Sequence, residues 1–491
     1  MSFDNDWFKN QYLITNNAKI SIPGWHCITP TNSLYIHSHP FLNDTCIQKK
    51  HTFIVLLGFI FDPLNPDYTF YDIIENLINE SPQRSDFFKN IQALTGRYVL
   101  IYNDESNLLV TPDACGLRQI YYGKINGKKY ITSSIKLPID LTKETLQISQ
   151  NKKDFINSRQ YEINEQAWLG DQSYDDRFKK VLPNHYLKFN SFISKRIPFF
   201  EPKITDNYNK VLNYAKKILT NSFKTIKNRY KVILPVTAGL DSRILLAASR
   251  EYKTNIEYYI FERKEANFYD SYIPDKLMNK LQMDFTRIKA YNFTDKFLQK
   301  YKENHYFSRI LPKTKFINYH YKNSDSDTLN ITGNCSEITR FYYDYPLAEV
   351  SGKYFARICN YKNNSYAIEQ INKWLDDAKY FCYKNSIDLR TLFYWEQRMG
   401  NWGAQFPFEQ DIAIEEFAPY NNRELILSIL TIPQRNRKYP RYKFRYDLMR
   451  NLWEEILQEK INPETVFEIF SEILYSKVYF PLSYKIRKIL N

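Results

Sequence analysis

The chain has 491 residues, 43% of them hydrophobic and 25% charged, with 12 glycines, 21 prolines and a formal net charge of +14. These values exclude a disordered chain, a collagen and a coiled coil, and at about 100–200 residues per domain they allow two domains or three. The basic excess runs through a sequence rich in Lys, Asn, Ile and Tyr. It therefore reads as compositional bias rather than as a concentrated nucleic-acid-binding face, and nucleic acid is not an expected partner.

The start, MSFDNDWFKNQ, carries an early Asp and no apolar stretch, unlike a signal peptide. Through about residue 195, short apolar runs between turn signals read as strands at Thr52–Phe61, Arg97–Tyr102, Asn107–Val110, Gln119–Tyr122 and Tyr130–Ser133, with a helix at Tyr71–Glu80. The longest apolar run, Phe53–Phe61, is too short to cross a membrane, which takes ~20 residues, and reads as a buried strand. Six widely spaced cysteines form no CxxC pair or zinc pattern, which predicts reduced thiols and a cytoplasmic protein.

The character changes near Pro202. A helix is predicted over Tyr208–Arg229, where Val211, Leu212, Ala215, Ile218, Leu219, Phe223 and Ile226 share one face. Strands follow at Lys231–Val236, Ile256–Phe261, Phe285–Lys289 and Thr328–Ile331, alternating with helices at Ser242–Tyr252, Ser271–Leu281 and Thr294–Tyr306. That alternation predicts a parallel sheet covered on both faces. Beyond about Leu347 the chain reads as mostly helical. The basic, aromatic stretch Lys477–Lys488 fits an amphipathic packing segment, or contact with a membrane surface or partner.

The strongest chemical signal is Val236-Thr237-Ala238-Gly239-Leu240-Asp241-Ser242-Arg243, between a buried strand and a helix. Small residues let the backbone turn tightly, and the exposed N–H groups with the positive helix end suit a phosphate. The hydroxyls of Thr237 and Ser242 add donors. Asp241 would repel a bare phosphate but suits Mg²⁺ bridging pyrophosphate oxygens. An ordinary strand–helix turn capped by Ser242 and Asp241 fits the same pattern.

TAGLDS resembles the SGGxDS pyrophosphate loop of the asparagine synthetase family and other ATP pyrophosphatases, with Thr237 keeping the hydroxyl and Ala238 replacing a Gly. Other segments resemble that family in the same order. Thr332-Gly333-Asn334-Cys335-Ser336-Glu337-Ile338 is similar to GEGADEL, one residue shorter, with Ser336 where the family has Asp. The stretch Glu415–Leu425 is similar to ExRxPFLDxxL, and Pro433 matches the Pro that follows. Tyr394–Met399 occupies the place of the substrate-side helix. Tyr442–Arg450 stands where the family has KxxLR. In the first half, Gly96-Arg97-Tyr98-Val99, Asp113–Tyr122 and Ser133-Ser134 resemble GxFA, RDxxGxRPLYY and ASE of class II glutamine amidotransferase domains.

The resemblance covers roughly residues 50–460. It implies an α+β N-terminal Ntn-type sandwich over 1–200, then an α/β ATP-pyrophosphatase (synthetase) domain over 201–491 with a parallel sheet and a helical C-terminal part. It implies ATP on Val236–Arg243 and Gly333, and Mg²⁺ on Asp241 and Glu337. The charge of the family's Lys would come from Lys443 or Arg445, because its aligned place falls on Tyr446. Glu396 would orient or deprotonate an amine, or serve equally as a structural ion pair, and the strand Ile256–Phe261 would hold adenine. Arg243 either reaches a phosphate or faces solvent.

Class II glutaminases use an N-terminal Cys whose own amine is the base. Here position 2 is Ser and Cys27 is internal. The resemblance is thus nearest to glutaminase-deficient members of the β-lactam synthetase and lasso-peptide cyclase type. It implies an AMP- and pyrophosphate-forming ligase joining a carboxylate (small molecule, sugar acid or peptide) to an amine. The alternatives are a non-catalytic scaffold or binding subunit and an ATP pyrophosphatase that modifies nucleic acid.

Overall fold

The computed structural model describes residues 6–104, 107–205, 207–262, 268–306, 309–347, 349–463 and 466–483. Its first part holds strands β1 (Tyr12–Thr15), β2 (His26–Thr31), β3 (Leu34–Ser38), β4 (Asp44–Lys49), β5 (Thr52–Phe61), β6 (Thr95–Asn103), β7 (Leu108–Pro112), β8 (Tyr121–Ile125), β9 (Lys128–Thr132), β10 (Phe178–Lys180), β11 (His185–Lys188) and β12 (Ile193–Arg196). They form two antiparallel sheets of six, ordered β10-β8-β9-β1-β3-β2 and β12-β11-β7-β6-β5-β4.

Strand β5 shows why the sequence reads as one apolar run. Phe53, Val55 and Leu57 enter the core between the sheets with Tyr12, Ile14, Val99 and Ile101. Ile54, Leu56 and Ile60 face outward and pack on Ile73, Ile74 and Leu77 of the helix Phe70–Glu80. Side chains alternate across a strand, so burying both faces requires apolar residues throughout. The helix starts at Thr69, whose hydroxyl caps Asp72 N–H while the Asp72 carboxylate returns the bond. The expected helix and five expected strands are present with small shifts at their ends. Strands β1–β4 and β10–β12 escape the sequence reading because they are short, and β2, β4 and β12 lie at sheet edges with exposed alternate positions.

The second part carries β13 (Lys231–Pro235), β14 (Ile256–Phe261), β15 (Thr286–Ile288), β16 (Thr328–Ile331) and β17 (Glu415–Phe417), all parallel, ordered β15-β14-β13-β16-β17. The helices Tyr208–Ile226 and Leu240–Ala248 pack on one face. Asp295–Asn304 and Thr314–Asn323 pack on the other through Phe297, Tyr301 and Ile317. The mixed architecture is therefore as expected: antiparallel sandwich first, then a parallel sheet clothed in helices. The region after Leu347 is mostly helical, as expected, and adds an element the sequence did not signal: β17, a three-residue edge strand beside β16. Strands are added on one side of β13 as far as β15 and then on its other side. That reversal opens a crevice at the strands' C-terminal ends between β13 and β16.

Buried charge joins the two parts. Arg97, on β6, pairs with Asp411, and its second nitrogen lies 2.8 Å from the other carboxylate oxygen. Arg118 pairs with Glu415 at the start of β17. It lies over Gly58, whose φ of +103° and lack of a Cβ are both needed, because a Cβ there would sit 2.7 Å from the Arg118 Nε. Asn421 donates to Gly96 O at 2.6 Å and to Asp113 at 2.8 Å. One apolar cluster runs from Phe59, Leu117 and Trp168 to Leu234, Phe417 and Leu425.

Among the described residues no helix is long and apolar enough to cross a membrane. The chain's last described stretch is anchored by buried Phe480 and by Lys477 on Asp344, while Phe470, Val478, Tyr479 and Leu482 are exposed. The rest of the basic tail, 484–491, lies outside the described residues.

Removing one partner of a buried ion pair leaves the other charge uncompensated, at a cost of about 3–5 kcal/mol. Asp411→Asn should lower unfolding stability by that amount in urea titrations followed by tryptophan fluorescence. An unchanged midpoint would show that Arg97 and Asp411 do not join the two parts.

Candidate active site

Two loops meet in the crevice. The first, after β13, is tied to itself. Thr237 N–H donates to the Ser242 hydroxyl at 3.1 Å, the two hydroxyls lie 2.8 Å apart, and Gly239 N–H donates to the Thr237 oxygen at 3.1 Å. Ala238 is buried, so its extra methyl packs inward. The second loop follows β16. Its Gly333 comes so close that a Cβ there would lie 2.6 Å from the Asp241 Cβ. Only glycine lets the two loops touch at that point.

The turn Ser336–Arg340 follows, bounded by two non-glycine residues in left-handed conformation, Cys335 at φ +69° and Phe341 at φ +57°. Tyr442, at φ +40°, precedes the helix Lys443–Trp453 and is a third. Such conformations cost free energy and gather at sites where the surroundings over-determine the backbone.

These strained turns bring together four charges. Asp241 pairs with Arg445, and Arg340 lies 3.9 Å from its other oxygen. Arg340 also pairs with Glu337, which accepts a hydrogen bond from Tyr394. Arg445 is buried and donates from Nη2 to Ser336 O at 2.7 Å. Burial works to raise the Asp241 carboxyl, but Arg445 and Arg340 hold it below its ordinary value. It is ionised at neutral pH.

This donor set does not fit a resident metal ion. Both carboxylates expected to bind Mg²⁺ already carry a guanidinium, and no group of three His, Cys, Asp or Glu that could hold a metal occurs among the described residues. Two arginines stand where the sequence reading put the cation, an arrangement suited to an anion.

The other expected residues fall in different places. Arg243 neither reaches a phosphate position nor faces solvent. It is fully buried and donates to the carbonyls of Ile456 at 2.8 Å, Lys460 at 3.2 Å and Glu459 at 3.4 Å. Burial lowers its pKa to about 10. It thereby fixes the segment 456–463 over the first loop, where Asn462 N–H donates to Ala238 O at 3.0 Å. Lys443 is exposed, pairs with Asp447 one turn on, and lies over the Tyr208 ring. Glu396 is fully buried against Arg196, with Trp374 Nε1 donating to it at 2.7 Å and Asn184 at 3.4 Å. Those partners make it a structural ion pair rather than a group presented to an amine.

The sequence reading missed Arg340 and Arg398. Arg340 stands three residues after Glu337, the spacing of a helical ion pair. Arg398 lies two residues after Glu396 and points into a separate space. A cavity of about 750 Å³ opens beside the charge network, with Arg340, Tyr342, Tyr442 and Arg398 among its walls. A smaller one, about 280 Å³, lies at the C-terminal ends of β13, β14 and β16, where Phe261 stacks on Phe316 at 4.1 Å.

No protein family description and no curated protein matches the chain. Among solved structures, similarity is found to glutamine phosphoribosylpyrophosphate amidotransferase from B. subtilis complexed with ADP and GMP. The identity is 8%, the match covers 68% of this chain and 72% of that one, and the TM-score is 0.24. Glutamine-dependent NAD+ synthetase from Acinetobacter baumannii, in complex with ADP, is similar at 10% identity over 55% of this chain and 67% of that one, TM-score 0.22. NH3-dependent NAD synthetase from Campylobacter jejuni is similar at 14% identity over 41% and 96%, TM-score 0.22. Likenesses this distant carry no functional argument.

Each hydrogen bond to a charged group contributes about 1.5–3 kcal/mol. Arg243→Met should therefore release the 456–463 segment and speed tryptic cleavage after Lys460 by about tenfold or more. Cleavage at the wild-type rate would contradict the clamp.

Proposed function

We propose that the chain is an asparagine synthetase-like, ATP-dependent amide ligase. It adenylates a carboxylate with loss of pyrophosphate, then passes the acyl group to an amine with loss of AMP. The observation that carries this reading is the meeting of the two resembling loops, through Gly333 and Asp241, in the crevice beside β13.

In this reading the start of the helix Leu240–Ala248 receives the phosphates, together with loop N–H groups other than those of Thr237 and Gly239, which are bonded within the loop. Arg340 and Arg445 face the charge that develops as pyrophosphate departs, and fixed charges placed there lower the barrier. Asp241 holds both guanidinium groups in place. No step is assigned to a metal, to Lys443 or to Glu396. The aromatic end of β14, with Phe261, offers a flat surface for adenine. Residues 1–200 act as a degenerate amidotransferase-like domain and 201–491 as the synthetase domain. In this reading the amine comes free or tethered rather than from glutamine. Ser2 lies outside the described residues. Six free thiols favour a reducing, cytoplasmic setting.

One observation favours a second reading, a non-catalytic scaffold. The loop's hydroxyls bond to each other, and the segment 456–463 covers it.

Hydroxylamine trapping with a panel of carboxylic acids separates the two. The ligase should form hydroxamate, AMP and pyrophosphate in equal amounts. Gly333→Ala forces Asp241 to move, and a misplacement near 1 Å costs about 10²-fold in rate, so this variant should lose at least that much activity while staying folded. ADP and phosphate as products would overturn the adenylation chemistry. No turnover with any acid and amine would leave the scaffold.

A further inference from the structure

Among the described residues, the 750 Å³ cavity beside the charge network contains one cation, Arg398, with no ionic partner. Lys438 and Lys477 are both paired with Asp344, and Arg340 is paired with Glu337. Arg398 has neither a carboxylate nor a hydrogen-bond partner among the described residues. Its guanidinium lies 4.1 Å over the Trp402 ring, and its nearest ionisable neighbours are the phenols of Tyr343, Tyr394, Tyr342 and Tyr361. It sits in the middle of the π-helical stretch Tyr394–Gly403, a form of helix concentrated at functional sites. A guanidinium held half-buried by stacking alone keeps its planar fork open, and that fork matches a carboxylate. At the cavity wall water can meet this fork, and a ligand carboxylate would replace that water with a charge-assisted pair.

We propose that this cavity binds a carboxylate-bearing ligand of short-peptide size, with the carboxylate on Arg398. The volume lies in the range that encloses a drug-sized molecule and is far larger than a single small acid needs. The phenol walls of Tyr342, Tyr343 and Tyr439 suit an amphipathic body. A phosphate dianion fits less well, because Asp344, Glu468 and Glu472 also line the space and only one guanidinium is unpaired. Because Arg340 borders both the cavity and the loop network, a bound ligand would lie beside the phosphate loop. The inference deepens the ligase reading and rests on it only for calling the ligand a substrate.

The test is calorimetric binding to the full chain, without ATP, of the tripeptide Ala-Ala-Phe and of the same peptide with its C-terminal carboxylate amidated. The acid should bind at least tenfold more tightly than the amide. Arg398→Gln should erase that difference, and Arg398→Lys, which keeps the charge but loses the fork, should retain part of it. Thermal melts of both variants check that loss of stacking on Trp402 has not unfolded the protein. Equal binding of acid and amide by the wild type, a difference that survives Arg398→Gln, or no binding of either peptide at millimolar concentration would each overturn the proposal. A clear acid preference, with no AMP formed from any acid in the hydroxylamine assay, would sink the ligase reading and leave the site standing. AMP formation without the preference would do the reverse.

Discussion

A carboxylate and a guanidinium, Asp241 and Arg445, fasten the middle of this molecule. The contact joins the loop after the central strand to the helix Lys443–Trp453, and through Ser336 O it takes in the loop after β16 as well. Neither side chain could be left alone in that position, since an isolated buried charge is far more costly than a paired one. Everything near it is arranged around the pair. Gly333 is flattened against Asp241, Arg340 approaches from the other side, and three left-handed turns set the backbone so that these groups converge. Among the described residues, Arg445 still keeps one donor, its Nε, without a hydrogen-bond partner.

The rest of the chain holds that centre still. The antiparallel sandwich delivers Arg97 and Arg118 to Asp411 and Glu415, which fixes the edge strand β17 beside β16. Lys180 belongs to the same seam: it is buried, donates to Gly400 O at 2.6 Å, and has its pKa lowered to about 7 by burial. Arg243 then covers the loop with the segment 456–463. The resulting site is closed by its own side chains. In the proposed ligase, a substrate anion would have to compete with Glu337 and Asp241 for the arginines.

The sequence carried the architecture further than the chemistry. Strands buried on both faces, such as β5 and β13, announce themselves through unbroken apolar runs, and the helix Tyr208–Ile226 through its 3.6-residue period. Short edge strands do not, because half of their positions face water. The two loops were legible from their small residues and position. The roles of individual charges were not, because a linear sequence does not say which side chain will reach which. Arg243 reads as a phosphate ligand or a solvent-facing residue and instead turns inward to carbonyls. Glu396 reads as a base and is consumed by Arg196 and Trp374. Arg340 and Arg398, both overlooked, stand next to residues that were singled out.

In the proposed ligase, arginines rather than a resident metal receive the polyphosphate at the Asp241–Gly333 crevice. Titrating pyrophosphate into the full chain in the presence of EDTA addresses it directly. The account predicts saturable binding without a divalent cation, weakened at least tenfold by Arg340→Gln. Binding seen only when Mg²⁺ is added, and unaffected by Arg340→Gln, would contradict it.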